Sequence, residues 1–509
     1  MTHLILAPIL IPLLFGALTL LLERRHSVAL LRWVSWLGIA LLSAASLALF
    51  ARATGGQIEI YLMGNWPSRL GIVLVLDRLS ALMTLTTALL AAPCLLHVCA
   101  GWDRRALHFH PLFHLQLAGL NGAFLTGDLF NLFVFFEVML IASYGLLLSG
   151  ARGPRLRAGL HYVVFNIAAS TLFLLALGLL YGILGNLNMA ELAGRIATVP
   201  ARDAPLLLAA SGLLLVVFCA KAALLPLYAW LPHTYSRAPA AVAALFAIMT
   251  KVGLYSALRV GTLLFGAHAG VAAHFASGWL LPAGFATVIL AALGVMGAAR
   301  LRVAVSYLVM ISAGTLFIAF ALDSEAAIAA GLFYLPHSVF VAAALFLLAD
   351  LILRVRGGTG EMLLEVAPIA NRTLLSVLFL IGAVSVAGLP PLSGFIGKLA
   401  LLMAVPADKV VWAWFAILFS SMLTIIGLSR IGTRLFWRVD AEPVDFQPPA
   451  LRRQEISAVC WLLGLGLAMT VAAEPLLDYT QATAAQLFAP QQYIERVQAT
   501  LPARREPSP

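Results

Sequence analysis

Charged residues are scarce in this chain. Only 11% of its 509 residues are charged and 62% are hydrophobic, whereas an average soluble domain is about 25% charged and about 45–50% apolar. A soluble globule of this length would lack the polar residues needed to cover its surface. The composition therefore excludes a cytosolic enzyme, a disordered protein and a nucleic-acid-binding protein, even though the net charge is +10. In a membrane protein, excess basic residues are expected in cytoplasmic loops.

Cysteine is also rare. The four cysteines lie in or near apolar segments, at Cys94, Cys99, Cys219 and Cys460. Their spacing matches neither a metal site nor the disulfide framework of a small secreted domain, so we expect buried free thiols. The chain also lacks a nucleotide-binding fingerprint and paired haem histidines. The sequence therefore implies neither a metal nor another cofactor.

The hydrophobic residues form long runs separated by short charged loops. An apolar helix of about 20 residues crosses a bilayer core of about 30 Å. The runs predict an all-α, multi-pass membrane protein with about fourteen transmembrane helices, at roughly 4–22, 28–50, 79–100, 109–127, 129–149, 160–185, 205–230, 240–263, 278–299, 303–322, 326–353, 373–404, 410–436 and 456–476. No basic segment precedes the first run, so it does not resemble a cleavable signal peptide.

Arginines concentrate in every second loop between these predicted spans. They are Arg24, Arg25, Arg104, Arg105, Arg152, Arg155, Arg157, Arg237, Arg300, Arg302, Arg354, Arg356, Arg434, Arg438, Arg452 and Arg453. Among the intervening loops, one carries Asp128 alone, one carries Asp323 and Glu325, and the loop between spans eight and nine has no basic residue. Because basic loops stay in the cytoplasm, we expect both termini to be external.

Lysine is nearly absent, and its positions differ from those of arginine. Of the 32 basic residues 28 are arginines, and three of the four lysines, Lys221, Lys251 and Lys398, lie inside apolar runs. A charge at the centre of a spanning helix costs about 2.5–3.5 kcal/mol on insertion scales, so it usually faces a bundle interior or a hydrated cavity. Glu137 and His337 also lie deep in spans, roughly 12–18 Å from the external charges that precede them. We expect these five residues to form one layer near the middle of the membrane.

The residue types in this layer indicate proton transfer. Arginine stays protonated in proteins, whereas a desolvated lysine can lose its proton, and histidine and glutamate also exchange protons in this range. The arginines would set the topology, and the layer would be a proton relay. Lys409 lies near a helix end, where a snorkelling or ion-paired structural role is expected. His233 lies in a short loop, where it would either admit protons or cap the loop.

Two of the charged spans are interrupted. One break follows Lys221 and the other precedes Lys398, and the residues that make them are Pro226, Pro390, Pro391 and Gly394. Proline removes a helical hydrogen bond, and at membrane depth the freed carbonyls need protein or water partners. Transporters place such broken helices at midplane sites, often in corresponding positions of two inverted repeats.

The reversed order of proline and lysine in the two broken spans suggests two inverted five-helix repeats, at 109–263 and 278–436. Before them, residues 1–108 would form a three-helix region with a small external β-hairpin, because two β-prone runs in 57–76 flank Asn65-Trp66-Pro67. After them, residues 437–509 would form a C-terminal span and tail.

Three stretches of sequence carry a family resemblance: FFEVMLIASYGLL, KAALLPLYAWLPHTYSRAPAAVAALFAIMTKVGLYSALR and GLPPLSGFIGKLALL. They resemble the antiporter-like family shared by Mrp-type (Sha, Pha or Mnh) cation/proton antiporters and respiratory complex I, and the resemblance covers nearly the whole chain. The stretch HSVFVAAALFLLADLI is similar to the version in the D-type subunits of Mrp antiporters. Val341 stands where many complex I homologues have a lysine, and Lys398 where one complex I subunit has glutamate.

The resemblance implies a function and partners. The family's proton path carries over to Glu137, Lys221, Lys251, His337 and Lys398, with protons passing through side chains and internal water. It implies a secondary transporter subunit rather than an enzyme, which exchanges external protons for cytoplasmic Na⁺ or K⁺ in the inner membrane of a bacterium. Its partners would be subunits of the A, B, C, E, F and G types, together with membrane lipid.

Two alternatives stay open at this point. The chain could be a proton-pumping membrane subunit of a complex I-like NADH–quinone oxidoreductase or of a membrane-bound hydrogenase, since such subunits hold no cofactor themselves. It could also be a structural membrane scaffold for a partner channel, although a midplane row of titratable residues is costly for that role. The partner proteins would distinguish these alternatives.

Overall fold

The computed structural model describes residues 3–23, 27–150, 153–357, 360–364, 371–438 and 450–502. These residues are mostly helical, which confirms the all-α membrane fold. The helices are α1 (Ala7–Glu23), α2 (Val28–Ala53), α3 (Arg78–Cys99), α4 (Phe109–Leu125), α5 (Leu129–Leu148), α6 (Pro154–Leu184), α7 (Met189–Ile196), α8 (Ala204–Lys221), α9 (Trp230–Tyr235), α10 (Ala240–Leu264), α11 (Ser277–Gly297), α12 (Leu301–Ala321), α13 (Glu325–Val355), α14 (Arg372–Ala387), α15 (Ser393–Met403), α16 (Val410–Gly432), α17 (Arg453–Val471), α18 (Ala473–Phe488) and α19 (Pro490–Ala499). Arg24, Arg25 and Arg152 lie outside the described residues.

Within the described part of the chain, twelve helices are long and apolar enough to cross a membrane. The chain is therefore a multi-pass membrane protein. Helix α4 has 17 residues, and α14 and α15 have 16 and 11; the last two together occupy the predicted twelfth span, interrupted as expected. The total of fourteen spans and the two inverted repeats stay predictions.

Helices α3, α4, α10, α12 and α13 are buried on nearly all sides. Helix α10 begins with the run AAVAALFA, in which alanine favours the helix and small side chains let neighbouring helices approach closely. By contrast, α1, α2, α6, α11 and α16 expose large apolar side chains, as a lipid-facing surface does. This arrangement places the Lys251 and His337 helices, α10 and α13, at the centre of the bundle.

The predicted β-hairpin is present. Strands β1 (Glu59–Leu62) and β2 (Val73–Leu76) pair antiparallel. The Gly127 backbone N–H donates to Val73 O at 2.8 Å. The hairpin is thereby attached to the α4–α5 connection, on the side of the bundle where α5 begins.

The arginine-rich loops meet at the opposite end of the bundle. Arg155 Nε donates to Arg237 O at 2.9 Å, and Arg302 Nη1 donates to Ala238 O at 3.3 Å. These bonds join the first turns of α6 and α12 to the loop that precedes α10. The common location agrees with the alternation of charge along the sequence, while the side of the membrane that this end faces stays a prediction.

The C-terminal residues fold back onto the hairpin end of the bundle. Tyr479 Oη donates to Arg78 O at 2.8 Å, Gln486 Nε2 donates to Gly56 O at 3.0 Å, and Arg496 Nε donates to Ile58 O at 3.1 Å. Helices α18 and α19 therefore connect the last part of the chain to the N-terminal region, a contact that the sequence did not predict.

The cysteine prediction is partly wrong. All four thiols are free, and Cys94 and Cys99 are buried, but Cys219 is half-buried and Cys460 is exposed. Cys460 lies beside Trp461, which is also exposed, on the outer surface of α17. An apolar span does not make a residue buried in the protein, because one face of a peripheral helix contacts lipid.

A buried ion pair, Asp77–Arg259, joins the beginning of α3 to α10 with contacts of 2.5 and 2.8 Å. Burial raises the pKa of the Asp77 carboxyl, but the Arg259 charge and the Ser80 hydrogen bonds outweigh burial and hold this pKa below its usual 3.8. Because the folded protein favours the carboxylate, the pair stabilises the fold above about pH 4, and this stability is lost as the pH falls through the lowered pKa.

We expect Asp77→Asn to lower the free energy of unfolding by about 3–5 kcal/mol, since it leaves the Arg259 charge buried and unpaired. Thermal unfolding of the protein in detergent at neutral pH measures this loss. The control Asp203→Asn removes a carboxylate from the exposed Arg202–Asp203 pair, which is worth about 0–1 kcal/mol. Equal melting temperatures for the two variants would contradict the prediction, and the deficit of Asp77→Asn should shrink in acid.

Candidate functional site

The five predicted relay residues lie on five helices. Glu137 is on α5, Lys221 ends α8, Lys251 is on α10, His337 is on α13 and Lys398 is on α15. Helices α5, α6, α8, α10, α13 and α15 pack each against the next in that order. The three lysines and the histidine are buried, whereas Glu137 is half-buried. The structure thus places all five along one continuous series of neighbouring helices.

Glu137 and Lys221 are linked by a serine rather than by a direct ion pair. Ser170 Oγ, on α6, donates a hydrogen bond to Glu137 Oε1 and accepts one from Lys221 Nζ at 3.2 Å. Lys221 Nζ also donates to Asn166 Oδ1 at 3.2 Å and to Asn166 O at 3.5 Å. No nitrogen–oxygen contact of 4.0 Å or less joins Glu137 to Lys221 themselves. The resemblance implies that Glu137 and Lys221 form a charge pair; in this structure the two groups are joined through Ser170 Oγ and not by direct contact.

The first helix break lies immediately after Lys221. Helix α8 ends at this residue, and Pro226 lies in the irregular segment that leads to α9. Two hydrogen bonds satisfy backbone groups here: Leu225 N–H donates to Thr287 Oγ1 at 2.9 Å, and Trp230 Nε1 donates to Ala220 O at 3.0 Å. The Lys221 ammonium thus occupies the last turn of a helix, where the helix dipole favours positive charge.

Lys251 lies in the most enclosed helix of the bundle. It is 1% exposed, and its Nζ donates to Ser312 Oγ on α12 at 2.6 Å. The Ser312 hydroxyl in turn donates to Val309 O at 2.7 Å. Within the described residues, Lys251 Nζ thus has one hydrogen-bond acceptor for the three N–H donors that an ammonium offers.

His337 packs against the second helix break, which lies between α14 and α15. His337 Nδ1 lies 2.8 Å from Ser393 Oγ at the beginning of α15, and its Nε2 is buried without a hydrogen-bond partner among the described residues. Gly394 follows Ser393, and a Cβ atom there would overlap Ser385 O and lie 2.7 Å from His337 Nε2. The absence of a side chain at Gly394 therefore lets α14, α15 and the imidazole approach one another.

Lys398 binds the end of the preceding half-helix. Its Nζ donates to Ala387 O at 2.9 Å and to Val386 O at 3.3 Å, which are the last carbonyls of α14, and to Ser421 Oγ on α16 at 2.9 Å. The residues between the two half-helices include Pro390 and Pro391. The break thus leaves carbonyl groups without helical donors, and the ammonium satisfies two of them.

A serine hydroxyl contacts each of the five titratable groups, which the sequence reasoning missed. The serines are Ser170, Ser312, Ser393 and Ser421. The sequence does contain an indication of Asn166 and Ser170, because two polar residues four positions apart share one face of α6 within a largely apolar stretch. The sequence contains no such indication for Ser312, since serine is common in membrane helices.

His233 lies apart from the buried groups. It lies on the short helix α9 and not in a loop as predicted; there it is exposed at the arginine-rich end, and its ring centroid is 6.5 Å from that of His161. Partial burial, the positive charge of Arg237, His161 and then Arg157 lower the pKa of His233. In the described part of the chain, no hydrogen bond joins His233 to Lys221 or Lys251.

Gly394→Ala tests the close approach at the second break. Overpacking of this kind typically destabilises by about 1–3 kcal/mol, and here backbone and imidazole both block the added methyl group. We expect a lower melting temperature and a loss of transport. The control is Gly464→Ala on α17, where nothing lies within 4 Å of the added Cβ. A Gly394→Ala protein as stable as the Gly464→Ala protein would contradict the geometry.

Comparison with known proteins identifies the family. Residues 126–424 match the family described as NADH:quinone oxidoreductase/Mrp antiporter, transmembrane. The chain is 40% identical to the D-type subunit of a probable K⁺/H⁺ antiporter of Rhizobium meliloti (strain 1021), covering 97% of each chain, and 35% identical to the D-type subunit of a Na⁺/H⁺ antiporter of Alkalihalophilus pseudofirmus, covering 98% and 99%. A chain in the structure of the Mrp complex from Dietzia sp. DQ12-45-1b superposes with a TM-score of 0.89 at 28% identity, over 98% of this chain and 100% of that one.

These similarities confirm the resemblance to the D-type antiporter subunits, and they extend over the whole bundle and over every helix that carries one of the five predicted relay residues. The chain therefore belongs to the NADH:quinone oxidoreductase/Mrp antiporter family.

Proposed function

We propose that this chain is the proton-translocating subunit of a multi-subunit Na⁺ (or K⁺)/H⁺ antiporter, a secondary transporter rather than an enzyme. The observation that carries the proposal is that the buried Lys221, Lys251, His337 and Lys398 and the half-buried Glu137 lie on consecutive packed helices. Ionisable residues inside a membrane protein mark ion paths and proton relays by default. The relatives named as D-type subunits of K⁺/H⁺ and Na⁺/H⁺ antiporters support the same function.

Protons would move along the bundle from Glu137 and Lys221 through Lys251 and His337 to Lys398. The charge states of Glu137 and Lys221 set the electrostatic potential at Lys251 on the adjoining helix, and such effects are strong where water is excluded. Internal water would carry protons across the gaps between the side chains. The His337 Nε2 atom, buried without a hydrogen-bond partner among the described residues, suits contact with such water.

Protons would be exchanged between this row and the two membrane faces, and His233, predicted as a possible proton-entry group, is the proposed group for that exchange at the arginine-rich end. Its lowered pKa keeps the imidazole largely neutral at pH 7, so it can accept a proton and release it again. We place this end in the cytoplasm because arginine-rich loops stay there. Both termini would then be external, in the inner membrane of a bacterium.

Partner subunits would cover the surface of α5 at Glu137. Val134 and Ile141, one turn to either side of Glu137, are 39% and 64% exposed, and the carboxylate itself is half-buried. A half-buried carboxylate in an apolar stripe is costly against lipid but acceptable against another protein. Partners of the A, B, C, E, F and G types in lipid would complete the complex.

Membership of the same family leaves one competing function, a proton-pumping subunit of a complex I-like oxidoreductase or membrane-bound hydrogenase. Co-purification of the tagged chain, followed by mass spectrometry of its partners, distinguishes the antiporter subunit from the oxidoreductase or hydrogenase subunit. Small antiporter subunits would support the proposal, and quinone-reducing or hydrogenase modules would overturn it. Antiport by everted vesicles that contain the assembled complex, driven by added Na⁺ or K⁺, then tests transport directly.

A further inference from the structure

Ser170 lies between the two oppositely charged residues at the beginning of the proposed proton path. Its hydroxyl donates to the Glu137 carboxylate and accepts from the Lys221 ammonium. No direct contact of 4.0 Å or less joins Glu137 to Lys221. Within the described residues, the Ser170 hydroxyl is therefore the hydrogen-bonded link between the acid and the base.

The other neighbours of Lys221 are not suited to carry a proton. Asn166 presents two carbonyl oxygens to the ammonium, which accept hydrogen bonds but have no exchangeable proton to pass on. The Phe136 ring centroid lies 6.0 Å from Lys221 Nζ and presents an apolar face. A serine hydroxyl is both donor and acceptor, so it can receive one proton while it releases another.

Three of the four residues at this contact are buried, whereas Glu137 is half-buried. Ser170 is 8% exposed, Lys221 5% and Asn166 1%. A proton that passes between Glu137 and Lys221 therefore has a protein hydroxyl available at hydrogen-bond distance from both groups.

We propose that the Ser170 hydroxyl transfers a proton between Lys221 and Glu137, an inference that rests on the function proposed above. The Lys221 ammonium gives one proton to Ser170 Oγ, and the original hydroxyl proton passes to Glu137 Oε1. One N–H bond and one O–H bond break, one hydroxyl O–H bond and one carboxyl O–H bond form, and no electrons are transferred. The products are a neutral amine, a neutral carboxylic acid and an unchanged serine.

The transfer has an electrostatic consequence. Both charges disappear together, so the three groups carry no net charge before or after the step. Burial penalises separated charges, and the relay gives the pair a neutral state that needs no ion from outside. The potential at Lys251 then changes because the dipole between Glu137 and Lys221 is lost.

Three serine variants in the assembled complex test this role, with antiport measured in everted vesicles across the active pH range. Ser170→Ala removes the hydroxyl, and Ser170→Thr retains one. The matched control is Ser143→Ala, because the Ser143 hydroxyl also joins α5 to α6, through Tyr162 Oη at 2.9 Å. Glu137→Gln and Lys221→Ala are measured beside them. The amount of each chain in the membrane is quantified by immunoblot.

We expect Ser170→Ala to lower the antiport rate at least about tenfold at every pH, since positioned proton-transfer groups typically contribute about 10²–10⁴-fold. The antiport rates of Ser170→Thr and Ser143→Ala should stay within about twofold of the wild-type rate. Threonine supplies an equivalent hydroxyl at position 170, and Ser143→Ala leaves Ser170 unchanged. Wild-type antiport in Ser170→Ala, with Glu137→Gln and Lys221→Ala inactive, would overturn the relay but not the path. Equal losses in the alanine and threonine variants would also overturn it and show a packing role. Activity in Glu137→Gln or Lys221→Ala would refute the proposed path itself.

Discussion

Lys221→Ala is expected to reduce antiport by everted vesicles to the background of vesicles without the complex. The substitution removes the amine that Ser170 Oγ and Asn166 Oδ1 hold at the end of α8, and no other basic group is hydrogen-bonded to Ser170 in the described structure. The rate should not recover at any pH, because alanine cannot carry a proton. Fluorescence measurement of the pH gradient after addition of Na⁺ or K⁺ gives the rate.

Lys409→Ala is the matched control for Lys221→Ala. Lys409 precedes α16 and is half-buried, so its loss removes the same side chain from a helix end. We expect near-wild-type antiport and equal amounts of both variants in the membrane. Substantial antiport in Lys221→Ala, or an equal defect in Lys409→Ala, would show that Lys221 has no special role in transport.

Glu137→Gln is expected to have an equally large effect on antiport. Glutamine keeps the size of the side chain and an oxygen that accepts from Ser170 Oγ, so folding and insertion should be preserved. It cannot become negatively charged or take up a proton, so the charge state of the Glu137–Lys221 unit can no longer alternate. Antiport should therefore fall to background although the hydrogen-bond pattern is retained.

The control for Glu137→Gln is Glu495→Gln, an isosteric change at an exposed position on α19. We expect this variant to transport at the wild-type rate. If Glu137→Gln also transports at that rate, the negative charge of Glu137 is dispensable. The proton path would then begin at another residue.

Much of this site was predictable because a membrane penalises charge. Glu137, Lys221 and Lys398 stand out in apolar runs, and prolines near the two lysines mark the helix breaks that the structure contains. The serines were not predictable in the same way. A hydroxyl such as that of Ser312 is tolerated in any membrane helix when it bonds its own backbone, so its contact with Lys251 depends on which helices pack together.

In the fold, too, local sequence patterns predict some elements but not the contacts between distant parts of the chain. The hairpin followed from two β-prone runs around a turn, which is local information, and it is present at Glu59–Leu62 and Val73–Leu76. The return of α18 and α19 to that hairpin depends on contacts between residues more than 400 positions apart, such as Gln486 with Arg78. No local pattern encodes this contact. The absence of a direct Glu137–Lys221 ion pair likewise depends on the exact separation of α5, α6 and α8.

The Lys398 ammonium joins three helices, because it binds the last carbonyls of α14, belongs to α15 and contacts α16. Carbonyls at a helix C-terminus attract positive charge, and that attraction disappears when Lys398 gives up its proton. The contact between the two half-helices is therefore weaker when Lys398 is neutral than when it is charged. Because linkage is reciprocal, a movement that separated Lys398 Nζ from these carbonyls would lower the proton affinity of Lys398.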